Sequence, residues 1–294
     1  MSINANNLTG TWPALATPFT GDGSQIDISS FENLIEHQLK SGVHGVVVCG
    51  STGEAQCLSD DEYRQAVTLC VQIVKGRVPV ISGIGASSTK RAEEIAAFLI
   101  QAKVDGILLV APPYVKPPQS GISEHFRAVS RASRLPIVAY NIPGRTAIAI
   151  SNDTLATLAQ EGTICGVKDS TASLDNIIDL YSRCGDKLSI LSGEDTLVHS
   201  IMATGGRGVI SATANVVPER FVRLTNAASE GRWRDSLNEQ CALLPIIRAM
   251  FAETNPIPVK AALKIKGLVA HSSVRLPLTA ALKSTEDTLS RLLA

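Results

Sequence analysis

The chain has 294 residues, and its 27 lysines and arginines offset 27 aspartates and glutamates, so the formal net charge is zero. At 45% hydrophobic and 18% charged it is too apolar for a disordered chain, and it has no basic excess to hold nucleic acid or an anionic membrane. The length suits one α/β barrel or two smaller domains.

Short apolar runs recur at 12–16, 45–49, 79–81, 106–110, 136–140, 164–167, 188–191 and 208–210. Most are continuous rather than alternating, as strands buried on both faces are. Amphipathic segments lie between them. Phe31, Leu34, Ile35 and Leu39 share one helical face. Ser59-Asp-Asp-Glu62 is a capping-box pattern, followed by apolar periodicity through Val67, Val71 and Val74. Further helices fit 88–101, 121–133, 151–160, 173–182 and 194–203. Eight strands alternating with helices predict an α/β fold, a (β/α)₈ barrel, with a doubly wound open sheet as the alternative. Beyond about residue 214 the segments 221–230, 232–251 and 258–268 read as helices with no strand between them. The expected organisation is a barrel over 1–231 and a helical C-terminal domain over 232–294.

The six cysteines, at 49, 57, 70, 165, 184 and 241, include no C-x-x-C pair. That argues against a zinc ribbon or a disulfide framework and for a reducing compartment. The opening MSINANNLTG has no basic flank and apolar core, so no leader is expected, and no apolar run is long enough to span a bilayer. A cytoplasmic location is the expectation. The five histidines (37, 44, 125, 199, 271) lack ligand spacing, so no metal is expected. Gly83-Ile-Gly85 follows strand three, but no complete dinucleotide fingerprint accompanies it.

Lys168 carries the sharpest chemical signal. A lysine at the end of a buried strand is costly unless it is paired or neutral, and a neutral amine is the nucleophile for a Schiff base. The plainer reading is a salt bridge to Asp169 or another carboxylate. Position favours chemistry, because barrel active sites form at the C-terminal ends of strands. Lys168, Tyr140, Gly50-Ser-Thr-Gly-Glu54, Tyr114, Gly193-Glu194 and Ser211-Ala-Thr213 all fall on that rim. Gly50-Ser51-Thr52-Gly53 is either an ordinary βα turn or a cradle whose amides and hydroxyls hold a carboxylate. The Tyr140 hydroxyl either moves protons or caps a core aromatic. Arg145 either clamps a carboxylate or lies on the surface.

Three ordered motifs, Gly50-Ser-Thr-Gly-Glu54, Tyr140-Asn-Ile-Pro-Gly-Arg145 and Gly166-Val-Lys-Asp169, resemble the signatures of the dihydrodipicolinate synthase/N-acetylneuraminate lyase family. Asn255-Pro-Ile-Pro-Val-Lys260 is a further match, so the resemblance spans essentially the whole chain. It implies a class I aldolase-type lyase on a (β/α)₈ barrel with a C-terminal helical extension. By that resemblance Lys168 forms the imine with pyruvate, with no separate cofactor. Ser51 and Thr52 hold the pyruvate carboxylate, and Gly193 and Ile210 line the pyruvate pocket. Tyr140, Ser51 and Tyr114 form a hydroxyl relay, with Tyr114 reaching in from a neighbouring subunit of a dimer or dimer of dimers. Arg145 implies condensation of pyruvate with L-aspartate 4-semialdehyde, in lysine and diaminopimelate synthesis, over cleavage of a sugar acid. A non-catalytic small-acid sensor is disfavoured, because binding needs no imine lysine. Some positions depart from the family pattern. Ser51 stands where synthases most often have threonine, Asp169 replaces a frequent glutamate, and Pro113 replaces a tyrosine. Tyr63 and Arg91 stand where lysine-inhibited members have histidine and glutamate, so weak or absent inhibition by lysine is expected.

Overall fold

Eight apolar runs form strands among the described residues, which are 3–294 of a computed structural model. Met1 and Ser2 of the stretch read for a leader lie outside them. The strands are β1 (Gly10–Pro13), β2 (Val46–Val48), β3 (Val80–Ile84), β4 (Gly106–Val110), β5 (Ile137–Asn141), β6 (Gly166–Asp169), β7 (Ser189–Ser192) and β8 (Gly208–Ser211). Their residues are almost all buried, as continuous Val, Ile and Leu runs require of a sheet covered on both faces.

All neighbouring strands are parallel, in the order β1-β8-β7-β6-β5-β4-β3-β2. A bridge between Ala14 and Val47, with the Leu15 amide donating to the Val47 carbonyl at 2.8 Å, joins β1 to β2. The sheet therefore closes into a ring, which a doubly wound sheet does not do. Inside the ring pack Trp12, Val47, Ile81, Leu108, Val138, Leu191 and Ile210. A Cβ on Gly45 would lie 2.2 Å from the Trp12 ring, so only glycine admits that indole.

Helices α1 (Ile28–Lys40), α2 (Asp60–Val74), α3 (Thr89–Ala102), α4 (Gln119–Ser133), α5 (Pro143–Thr146), α6 (Asn152–Gln160), α7 (Leu174–Cys184) and α8 (Val198–Ala203) fall between the strands. The capping box at α2 is formed: the Glu62 amide donates to Ser59 Oγ at 3.2 Å, and the Ser59 amide donates to Glu62 Oε2 at 2.9 Å. After β8 come α9 (Pro218–Ser229), α10 (Trp233–Met250), α11 (Ile257–Ile265) and α12 (Lys283–Leu293). One apolar cluster joins Ala16, Leu34 and Val209 of the barrel to Leu243, Val259 and Leu289 of these helices. The extension is welded to the barrel.

Some boundaries differ from the sequence expectation. β3 continues to Ile84 rather than stopping at 81, because its polar and small residues serve packing. Ser82 Oγ bonds the Tyr63 hydroxyl at 2.9 Å, and a Cβ on Gly83 would stand 2.4 Å from the Cys49 carbonyl oxygen. β6 extends through Asp169, so Lys168 lies within the strand. α5 and α12 were not anticipated. The first is a single turn and the second carries little apolar surface.

Candidate active site

Lys168 and Tyr140 are register partners on the adjacent strands β6 and β5. Register partners in a parallel sheet project to the same face, here the barrel interior. Lys168 is buried, with Nζ 4.3 Å from the centroid of the Tyr140 ring. The expected alternative, a salt bridge from Lys168 to Asp169, is not formed. The Asp169 carboxylate instead accepts from the Thr171 amide at 3.0 Å, the Thr171 hydroxyl at 2.6 Å and Asn141 Nδ2 at 3.3 Å. Burial still pushes the Asp169 carboxyl up from its ordinary value.

After β2 the chain turns through Gly50-Ser51-Thr52-Gly53. The amides of Gly53 and Glu54 are spent on the turn, donating to the carbonyls of Gly50 and Ser51 at 3.0 and 3.2 Å. Among the described residues the Ser51 and Thr52 amides make no such bond, which leaves two adjacent donors for an anion. Cys49 and Glu54, which flank the turn, both have left-handed backbone, with φ of 54° and 52°.

Ser51, Thr52, Tyr140, Arg145, Lys168, Gly193 and Ile210 line one cavity of about 390 Å³. A second, of about 280 Å³, shares Ser51, Tyr140 and Arg145 with it and reaches Pro113. Gly193 is there because nothing larger fits: a Cβ would lie 2.0 Å from Ser170 Oγ and 3.1 Å from Lys168 Cε. Tyr114 is the one expected site residue that the fold does not bring to the cavity. It is 91% exposed, with φ of 73°, and turns outward beside Pro113.

Sequence reasoning missed a whole wall of this cavity. Phe251, Glu253, Thr254 and Asn255 come from the segment between α10 and α11. Asn255 Nδ2 donates to Thr52 Oγ1 at 2.9 Å, and Arg145 Nη2 donates to the Asn255 carbonyl at 2.9 Å. The Asn255-Pro-Ile-Pro-Val-Lys260 string was the available signal, but nothing local in it points to residue 52 or 145. Glu194 also lines the cavity, and burial together with neighbouring Asp195 raises its carboxyl above the usual range.

A third cavity, of about 290 Å³, is lined in part by Asp60, Tyr63 and Arg64 of α2, Arg91 of α3 and Gly83 of β3. The Tyr63 hydroxyl donates to the Gly83 carbonyl at 2.9 Å. Arg91 pairs with Asp60 and, at 3.3 Å, with Glu94. Among the described residues no group of three or more His, Cys, Asp or Glu side chains is arranged to hold a metal ion, and no helix is long and apolar enough to cross a membrane.

Residues 7–294 match the sequence model of the dihydrodipicolinate synthetase family. The chain belongs to that family. A 4-hydroxy-tetrahydrodipicolinate synthase of Syntrophobacter fumaroxidans is 40% identical over 269 residues, 92% of each protein. One from Methanopyrus kandleri is 42% identical over 285 residues, covering 97% of this chain and 95% of that one. The crystal structure of dihydrodipicolinate synthase from Aquifex aeolicus superposes with a TM-score of 0.94 at 38% identity, covering 97% of both chains. The cavity at the strand ends therefore lies in a dihydrodipicolinate synthetase family barrel that matches these proteins almost end to end.

Proposed function

We propose that this chain is a lyase that condenses pyruvate with L-aspartate 4-semialdehyde to 4-hydroxy-tetrahydrodipicolinate, in the synthesis of diaminopimelate and lysine. The observation that carries the reading is the Lys168 amine, buried on the barrel interior beside Tyr140 and open to a cavity with no carboxylate bound to it. Relatives bearing the synthase name over nine-tenths of the chain support the choice of reaction.

Lys168 attacks the pyruvate carbonyl, and loss of water gives the imine. The unbonded amides of Ser51 and Thr52, with their hydroxyls, hold the pyruvate carboxylate against Gly193 and Ile210. Loss of a methyl proton gives the enamine, whose carbon attacks the aldehyde to leave a hydroxyl. The substrate's own amino group then adds to the imine carbon, the ring closes and Lys168 departs as the free amine. Tyr140 and Ser51 relay the protons, with Tyr114 of a second copy completing the relay in a homo-oligomer, a dimer or a dimer of dimers. Arg145 takes the carboxylate of the semialdehyde. Lysine chemistry supplies the electron sink, so no separate cofactor is called for. The catalytic work belongs to the barrel, residues 1–231, with 232–294 closing one side of its site. Six free thiols suit a cytoplasmic location.

The deciding experiment couples turnover of the two substrates to a reductase that consumes the product, alongside borohydride trapping of pyruvate. Robust turnover is expected, with the trapped adduct on Lys168, and Lys168→Ala loses both. An adduct at another lysine defeats the assignment. Trapping without turnover would redirect the search to sugar acids and other keto acids.

A further inference from the structure

The Asn255–Lys260 string has a place in the site that the reaction scheme leaves unused. Lys260 and Glu54 form a buried ion pair at 2.6 Å, with side chains 1% and 0% exposed. Lys260 Nζ also sits 3.9 Å from the centroid of the Phe19 ring, and Glu54 Oε2 accepts from the Arg275 amide at 2.9 Å. A pair so enclosed keeps its geometry, since separating it strands a charge in a dry interior. It fixes the start of α11 against the end of the 50–54 turn. Five residues before Lys260, Asn255 contacts both groups assigned to substrate carboxylates: its side-chain amide meets the Thr52 hydroxyl, and its carbonyl meets the Arg145 guanidinium.

The direction of the first bond matters. Asn255 donates to Thr52 Oγ1, so the Thr52 hydroxyl is used as an acceptor on that side and its own hydrogen is left to donate. Accepting one hydrogen bond strengthens the next one given. The Asn255 Oδ1 atom is buried without a partner and so does not compete for that hydrogen.

We propose that Asn255 is a positioning residue that turns the Thr52 hydroxyl into a donor aimed at the pyruvate carboxylate, and that its backbone sets the distance from there to Arg145. The inference rests on the proposed function, in which Thr52 and Arg145 bind the two carboxylates. The C-terminal extension thus acts on substrate binding and is more than an added layer of core.

The test is the pyruvate concentration that half-saturates borohydride trapping on Lys168. Asn255→Ala, which removes the donor but keeps the carbonyl, raises it about three- to tenfold, the worth of one hydrogen bond. The trapping rate at saturation and the KM for semialdehyde stay within about twofold on the same argument. Asn255→Asp is nearly isosteric, yet it captures the Thr52 hydrogen and brings a negative charge toward a carboxylate, so its defect exceeds that of alanine. A purely structural role predicts the opposite order, with aspartate nearer to wild type. That order, or unchanged pyruvate dependence in both variants, overturns the inference while wild-type trapping leaves the reaction intact. Wild type that traps no pyruvate overturns the reaction itself and the inference with it.

Discussion

Lys168 and Arg91 show how a charged side chain takes its role from what stands beside it. Lys168 is enclosed by Tyr140, Gly193 and apolar strand residues, and no salt bridge to Asp169 takes up its amine. Arg91 is exposed enough to find Asp60 and Glu94, and its charge is spent on them. In the cavity lined by α2, α3 and Gly83, Asp60 is already paired, Arg64 stacks 4.6 Å over the Phe98 ring, and the Tyr63 hydroxyl is engaged by Ser82 and Gly83. An amino-acid ammonium group finds no unspent carboxylate on that wall. Free lysine should therefore leave the condensation rate unchanged at micromolar concentrations. A rate assay titrated with lysine checks this, and half-inhibition in that range would sink it. Lys168, Tyr140 and the 50–54 turn were legible in the sequence because strand order alone puts strand ends on one rim. Asn255 was not, because its partners lie 203 and 110 residues away and only the tertiary fold introduces them.

Among the elements, the strands were the easiest to read and their ends the hardest. Val, Ile and Leu runs announce a doubly covered strand, whereas Ser82 and Gly83 look like a break until Tyr63 and the Cys49 carbonyl are seen against them. The packing of α3 against α4 hides a titratable group that no sequence pattern marks. His125 is buried, its Nδ1 lies 3.0 Å from Thr89 Oγ1 at the start of α3, and its Nε2 has no partner. Burial without a counter-charge lowers its pKa to about 4. The unfolded chain takes up this proton near pH 6.5, but the folded chain does not until about pH 4. Stability from this residue is thus complete above about pH 6.5 and falls by up to about 3 kcal/mol as the pH drops to 4. His125→Gln removes the titration. In urea unfolding, the stability gap between wild type and variant should shrink from pH 7 to pH 4. An equal gap at both values contradicts the assignment.

At the scale of the molecule, one chain builds a closed barrel, welds the three helices α10, α11 and α12 to it and still leaves Tyr114 outside its own cavity. A tyrosine at 91% exposure, held at φ 73° beside Val115 at 53%, is a poor surface residue for an isolated chain. It is a reasonable one to present to a neighbour. If a second copy supplies this hydroxyl reciprocally, each site takes Lys168 from one chain and Tyr114 from the other. Tyr114→Phe alone then lowers kcat about 100-fold or more, the scale of a lost proton-transfer group, with little change in pyruvate KM. Lys168→Ala alone is inactive. When the two variants are unfolded together and refolded, half of the dimers should be mixed, and one site in each has both native residues. Activity should return to about a quarter of the wild-type value, since half the dimers carry one good site in two. A chain that completes its own site recovers nothing beyond the sum of the two variants. Sedimentation of the same samples separates failure to pair from failure to complement.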